Sequence, residues 1–157
     1  MTRTIELEVA SALAAERRTV LAHAASLAGV NQELYPIFRM TAPRAFRERS
    51  LFEWPVGKPL FRSWMLAGGI LPLDFDRIEL VTVDPESGFE ECSVMLAMKR
   101  WRHERRVLDR GPGSSTVVDR LAFVPRLPGT GWLLEASVRQ LFRHRHARLQ
   151  EIFGPAL

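Results

Sequence analysis

The chain holds one cysteine, Cys92, and only two of its 22 basic residues are lysines, Lys58 and Lys99. A single thiol builds no disulfide framework, and no Cys/His cluster stands at zinc-ligand spacing, so no metal site is expected. No apolar run approaches the roughly 20 residues that a membrane helix needs. The N-terminal "MTRTIELEVAS" alternates where a leader would run basic and then apolar. These gaps predict a soluble cytoplasmic protein without membrane insertion. No serine or cysteine sits in a recognisable nucleophile elbow, which argues against acyl-enzyme chemistry. No cofactor is expected, and nothing in the sequence sets an oligomeric state.

The 157 residues are 46% hydrophobic and 25% charged, an ordinary globular mixture and enough for one domain over 1–157. A chain of this length buries roughly 68–70% of its unfolded surface. The net charge of +4 brings nucleic acid into question, but 18 acidic residues are interspersed with the basic ones. That balance does not favour a nucleic-acid partner.

"TIELEVAS" (4–11) sets Ile5, Leu7 and Val9 against Glu6 and Glu8, the period of a half-buried strand. Residues 12–28 have helix-forming composition, ended by Gly29, with a short second helix possible in "VNQELYP". "PIFRMTAP" (36–43) reads as a strand, and 60–69 as a strand bent or bulged at Gly68-Gly69. Strands over 76–84 and 89–98 flank the turn "PESG". Strands over 100–108 and 115–125 flank "DRGPGS", and a long helix runs from about Trp132 to Phe153, stopped by Gly154-Pro155. This order predicts an α+β fold with an antiparallel sheet covered on one face by helices.

In "RWRHERRV", Arg100, Arg102, Glu104 and Arg106 share a charged, solvent-facing side. Trp101 and Val107 mark the covered side, and they take His103 and Arg105 with them. A turn centred near Gly111 would set Arg105 opposite Val117, His103 opposite Asp119, and Trp101 opposite Leu121. Val117, Asp119, Leu121 and Phe123 form the apolar side of the next strand. On the long helix Arg145 falls inside the stripe of Leu134, Val138, Leu141, Phe142, Leu149 and Ile152, and a buried guanidinium needs a partner. Asp119 or an acidic group of a ligand would serve. His144 and His146, two residues apart, do not share a helix face as metal ligands would.

"WRH" (101–103), "TVVD" (116–119), "PGTG" (128–131) and "LFRHRHARL" (141–149) together resemble a bacterial cyclase-like branch of the START-like, SRPBCC superfamily. The resemblance implies a helix-grip fold, as in the birch-pollen allergen: a curved antiparallel sheet around a long C-terminal helix, with a small apolar ligand held between them. Where that branch often carries a second histidine, this chain has Arg105, a departure that bears on any acid/base chemistry.

The expected partner is therefore a small, largely apolar, lipid- or polyketide-like molecule. Trp101, Leu121, Phe123 and Phe142 would form the walls, and His103, Arg105, Asp119 and Arg145 the polar anchors. Trp64, Phe61, Met65, Met95 and Met98 are further candidates for the wall, or ordinary core. Two alternatives stay open. A cyclase or dehydratase would use His103 with Asp119 as acid/base, and Arg105 or Arg145 to stabilise an enolate oxygen. An interaction module would use a basic face at Arg143, Arg145 and Arg148. Cys92 reads as a buried structural thiol.

Overall fold

The computed structural model describes residues 3–157. Among them seven strands form one antiparallel sheet: β1 (Ile5–Leu13), β2 (Phe38–Met40), β3 (Pro59–Ala67), β4 (Leu71–Asp84), β5 (Gly88–Met95), β6 (Met98–Asp109) and β7 (Ser115–Pro125). The sheet order is β1-β7-β6-β5-β4-β3-β2, so β2 to β7 are neighbours in chain order and β1 closes onto β7. Helices α1 (Arg17–Ala24), α2 (Leu27–Leu34) and α3 (Arg44–Arg47) lie between β1 and β3, and α4 (Gly131–Phe153) follows β7.

Strand alternation sets the faces. Every second residue of β7 from Ser115 to Pro125 is buried, and Trp101, His103, Arg105 and Val107 are buried on β6. The charged side of β6 lies outside, where Arg102 meets Glu90 at 2.6 Å and Arg120 of β7 meets Glu8 at 2.9 Å. On the inner face α4 lays Val138 and Phe142 against Leu7, Trp101, Leu121 and Phe123. Each large apolar side chain buried there contributes about 1.5–3 kcal/mol. Leu149 packs with Leu13, Val20, Leu21, Val107 and Val117, closing the end of the sheet under α1.

The β6–β7 register differs from expectation by two residues. Arg105 faces Asp119, His103 faces Leu121, and Trp101 faces Phe123. Asp109 pairs with Ser115, which leaves a five-residue loop centred on Pro112 in place of Gly111. A shift of two keeps every side chain on its face, so the inward set is unchanged while the neighbours are exchanged.

Residues 12–28 do not form one helix. Ala12 and Leu13 pair with Thr116 and Ser115 as the end of β1, and α1 begins only at Arg17. Ser26 then adopts extended backbone, and its Oγ accepts from Gly29 N at 2.9 Å, starting α2. Gly29 is thus inside a helix: a Cβ there would stand 1.9 Å from the carbonyl oxygen of His23, so glycine permits the close approach of α1 and α2.

Gly68 and Gly69, both at positive φ, turn β3 tightly into β4. β4 accordingly starts at Leu71. The β5–β6 turn falls at Leu96-Ala97, where both amides donate to the Asp74 carboxylate. That contact ends β5 three residues before the expected Met98. Cys92 points to the outer face and is half-buried, and burial pushes its thiol pKa up.

Candidate functional site

Between the inner face of β3–β6 and the helices α2 and α4 lies a cavity of about 600 Å³. Phe61 and Met65 of β3, Ile78 of β4, and Met98 and Trp101 of β6 supply much of the sheet side. Leu134, Val138, Leu141 and Phe142 of α4 cover it, and Val30 and Leu34 of α2 meet them. Leu73, Leu96 and Leu127 border the cavity and are exposed, so they stand at its rim. A cleft of similar volume, about 670 Å³, lies outside between the starts of β1 and α4. Arg3, Glu6, Glu135 and an exposed Trp132 line it, and no buried polar residue faces it.

The cavity's inner end carries a chain of polar groups. Asp76, Glu91, His103 and Arg145 border it. His103 is held on both ring nitrogens, Nδ1 to Glu91 Oε1 at 3.2 Å and Nε2 to Asp119 Oδ1 at 2.7 Å. Behind it Arg105 donates through Nε and Nη2 to the two oxygens of Asp119, at 2.8 and 2.7 Å, and through Nη1 to Glu33 Oε2 at 3.0 Å. Arg145 Nε donates to Glu33 Oε1 at 3.2 Å. His146 Nε2 reaches Asp119 Oδ2 at 2.8 Å, and its Nδ1 meets Ser11 Oγ at 2.9 Å. His23 Nε2 lies 3.4 Å from Glu33 Oε2, near enough for an ion pair but too poorly aligned for a hydrogen bond. One cluster thereby joins β1, β6, β7, α2 and α4.

Burial opposes charge throughout this cluster, and opposite charges outweigh it. Burial alone would raise the Glu33 pKa, but Arg105 and Arg145 bring it down to about 2. Asp119 is likewise penalised by burial and held well below the carboxylate range by Arg105 and His103. For His103, burial favours the neutral ring, but Asp119 and Glu91 overcome it and raise the pKa. The imidazolium suits its two acceptors, since both N–H groups donate. No ring nitrogen then remains free to take a proton from a ligand, which weighs against a general-base role.

Asp76 is the exception. It is buried on β4 without an ion-pair partner among the described residues, and burial together with Glu91 pushes its pKa up to about 8, against the opposing pull of His103. Ser93 on the neighbouring strand pulls the other way without completing a hydrogen bond.

Of the residues singled out in the sequence, Trp101, His103, Phe142 and Arg145 border the cavity. Arg105, Asp119, Leu121 and Phe123 do not: Arg105 and Asp119 are committed to the ion cluster, and Leu121 and Phe123 are packed beneath α4. Arg145 is paired with Glu33 and not with Asp119, whose oxygens are taken by Arg105 and the two histidines. Its burial also removes Arg145 from any basic face, and Arg148 is occupied by the Gln32 carbonyl and Glu151. Trp64 is on the outer face of β3, against Phe75, while Phe61, Met65, Met95 and Met98 line the cavity.

Glu33, Asp76 and Glu91 are not among the residues marked by the sequence, and His146 enters there only as a rejected metal ligand. Two had a signal: Asp76 alternates in phase with Ile78 and Leu80, and His146 lies four residues from Phe142 and three from Leu149. Glu33 and Glu91 had none of that strength. Among the described residues no group of His, Cys, Asp and Glu is arranged to hold a metal ion, and no helix is long and apolar enough to cross a membrane.

A curved seven-stranded antiparallel sheet gripping a long C-terminal helix, with a cavity between them, is the START-like, helix-grip fold. Solved structures agree. The chain is similar to the ZhuI aromatase/cyclase from Streptomyces sp. R1128, with a TM-score of 0.67 and 13% identity over 94% of this chain and 92% of that one. It is similar to truncated norcoclaurine synthase from Thalictrum flavum, with a TM-score of 0.67 and 12% identity over 96% and 94% of the two chains. For a START superfamily protein from Mycobacterium smegmatis the TM-score is 0.63 and the identity 11%, over 94% and 98%. A comparison with curated protein sequences found no match. Residues 11–153 match the family model described as domain of unknown function DUF8410, and the chain belongs to that family.

Proposed function

We propose that this protein binds a small, largely apolar molecule in the cavity between the sheet and α4. The observation that carries this reading is the cavity itself: about 600 Å³, walled mainly by apolar side chains, with a few polar groups gathered at its inner end. Trp101, Phe142, Met65, Met98, Leu134 and Val138 would grip the ligand, and His103 and Arg145 would border its polar end. Arg105 and Asp119 would act from behind, holding His103 in place. The START-like fold supports the reading because helix-grip proteins hold ligands in this same space.

The test combines denaturing extraction of the purified protein, mass spectrometry of any released compound, and thermal melting with a panel of apolar ligands. A stoichiometric compound, or a ligand that raises the melting temperature, supports binding. Leu141→Trp, which places an indole in the cavity wall, should abolish either effect without unfolding the protein. An empty extract together with a panel that never raises the melting temperature refutes the proposal.

A further inference from the structure

Two residues that line the cavity each carry a buried polar atom without a hydrogen-bond partner: Asp76 at Oδ1 and Trp54 at Nε1. Both residues border the cavity, from β4 and from the segment after the 3-10 turn at Leu51–Glu53. Such groups are uncommon, because leaving a buried donor or acceptor unmatched costs about 1–3 kcal/mol. Indole N–H is a donor only.

The charges around Asp76 decide what it offers. Glu91 on β5 and Asp74 on its own strand are acidic. His103 on β6 is held between Glu91 and Asp119, and Arg145 on α4 is engaged by Glu33. Arg105, Arg145 and a protonated His103 are thus already matched by Glu33, Asp119 and Glu91. A carboxylate at Asp76 would stand uncompensated, whereas a carboxylic acid would not.

We propose that Asp76 and Trp54 are the cavity's hydrogen-bond donors, and that its ligand is an uncharged apolar molecule carrying an oxygen acceptor, in the simplest form a ketone. The inference rests on the cavity being a binding site and adds which chemistry it selects. The high pKa of Asp76 is consistent with a carboxylic acid that donates at neutral pH. An ammonium ligand is the competing way to satisfy the same carboxyl, and the test separates the two.

The experiment is equilibrium dialysis of the full chain against three tricyclic probes of one shape: fluorene, 9-fluorenone and 9-aminofluorene. At pH 6.5 the ketone should bind about tenfold more tightly than the hydrocarbon, the scale of one or two net hydrogen bonds. Asp76→Leu should remove most of that preference while fluorene still binds. Asp76→Asn, which keeps an N–H donor, should retain part of it. In the unmodified protein the preference should shrink at pH 9.5, and in Asp76→Asn it should not, a comparison that holds even if Asp76→Leu folds poorly. Equal binding of ketone and hydrocarbon, a preference that survives in Asp76→Leu, or a preference for the amine would each overturn the proposal while leaving the cavity as a binding site. Binding of none of the three would overturn the binding reading itself, and this inference with it.

Discussion

Arg105 faces Asp119 across the β6–β7 ladder and holds both of its carboxylate oxygens, at 2.8 and 2.7 Å. The pair sits at the centre of the cluster that ties α2 and α4 to the sheet, and the Arg105 residue is only 1% exposed. Removing one partner from a buried ion pair strands the other charge, at a cost of about 3–5 kcal/mol. Arg105→Ala should therefore lower the melting temperature by more than about 6 °C. Arg120→Ala, which breaks a pair with Glu8 on the outer face, should leave it nearly unchanged. Similar melting temperatures for the two variants would contradict the role given to Arg105.

Glu33 makes the cluster sensitive to acid. Its pKa in the fold, about 2, lies below the ordinary 4.5, so the unfolded chain takes up its proton first as pH falls. The associated stabilisation, on the order of 3 kcal/mol, is complete above pH 4.5 and is lost as pH falls towards 2. Glu33→Gln should be less stable than the unmodified protein at pH 7, with the difference narrowing across that window. Urea unfolding at pH 7, 4 and 3 measures this, and a constant difference would contradict it.

Much of this architecture is legible in the sequence because strand faces repeat every two residues. The alternation of β7 places Asp119 inside whatever its register, and the α4 stripe places Arg145 inside in the same way. Partners are less legible. Glu33 lies 72 residues from Arg105 and 112 from Arg145, and nothing local marks it as their counter-ion. The β6–β7 register depended on a loop with glycines at 111 and 113, both at positive φ, which allows more than one centre. The cavity itself has no signature, because Met98 or Phe142 would read the same whether packed solid or lining a space.

Asp76 has the opposite sign from Glu33. Its folded pKa of about 8 exceeds the ordinary 3.8, so between those values the folded protein holds a proton that the unfolded chain has released. Stability therefore falls as pH rises through that window and levels off above it. Asp76→Asn keeps the shape and removes the titration. It should be more stable than the unmodified protein at pH 8, by on the order of 5 kcal/mol or roughly 10–20 °C, and nearly all of the gain should be gone near pH 4. An asparagine variant that is less stable at every pH would show that Asp76 is charged and paired in the fold.

Gly88 connects the backbone to the same cluster. It has φ +147, and a Cβ there would stand 1.9 Å from the carbonyl oxygen of Arg105, which belongs to the β5–β6 ladder. The ladder cannot absorb that overlap without moving Arg105, whose side chain makes three charge-assisted hydrogen bonds to Asp119 and Glu33. Gly111 is a fair control: it also has positive φ, +106, but a Cβ there meets nothing within 4 Å. Gly111→Ala should cost only backbone strain, about 1–2 kcal/mol. Gly88→Ala should cost more, and it should also weaken the acid dependence set by Glu33, because the guanidinium that lowers that pKa is displaced. Equal losses in urea midpoint for the two variants, with an unchanged acid limb, would show that the close approach at Gly88 does not position Arg105.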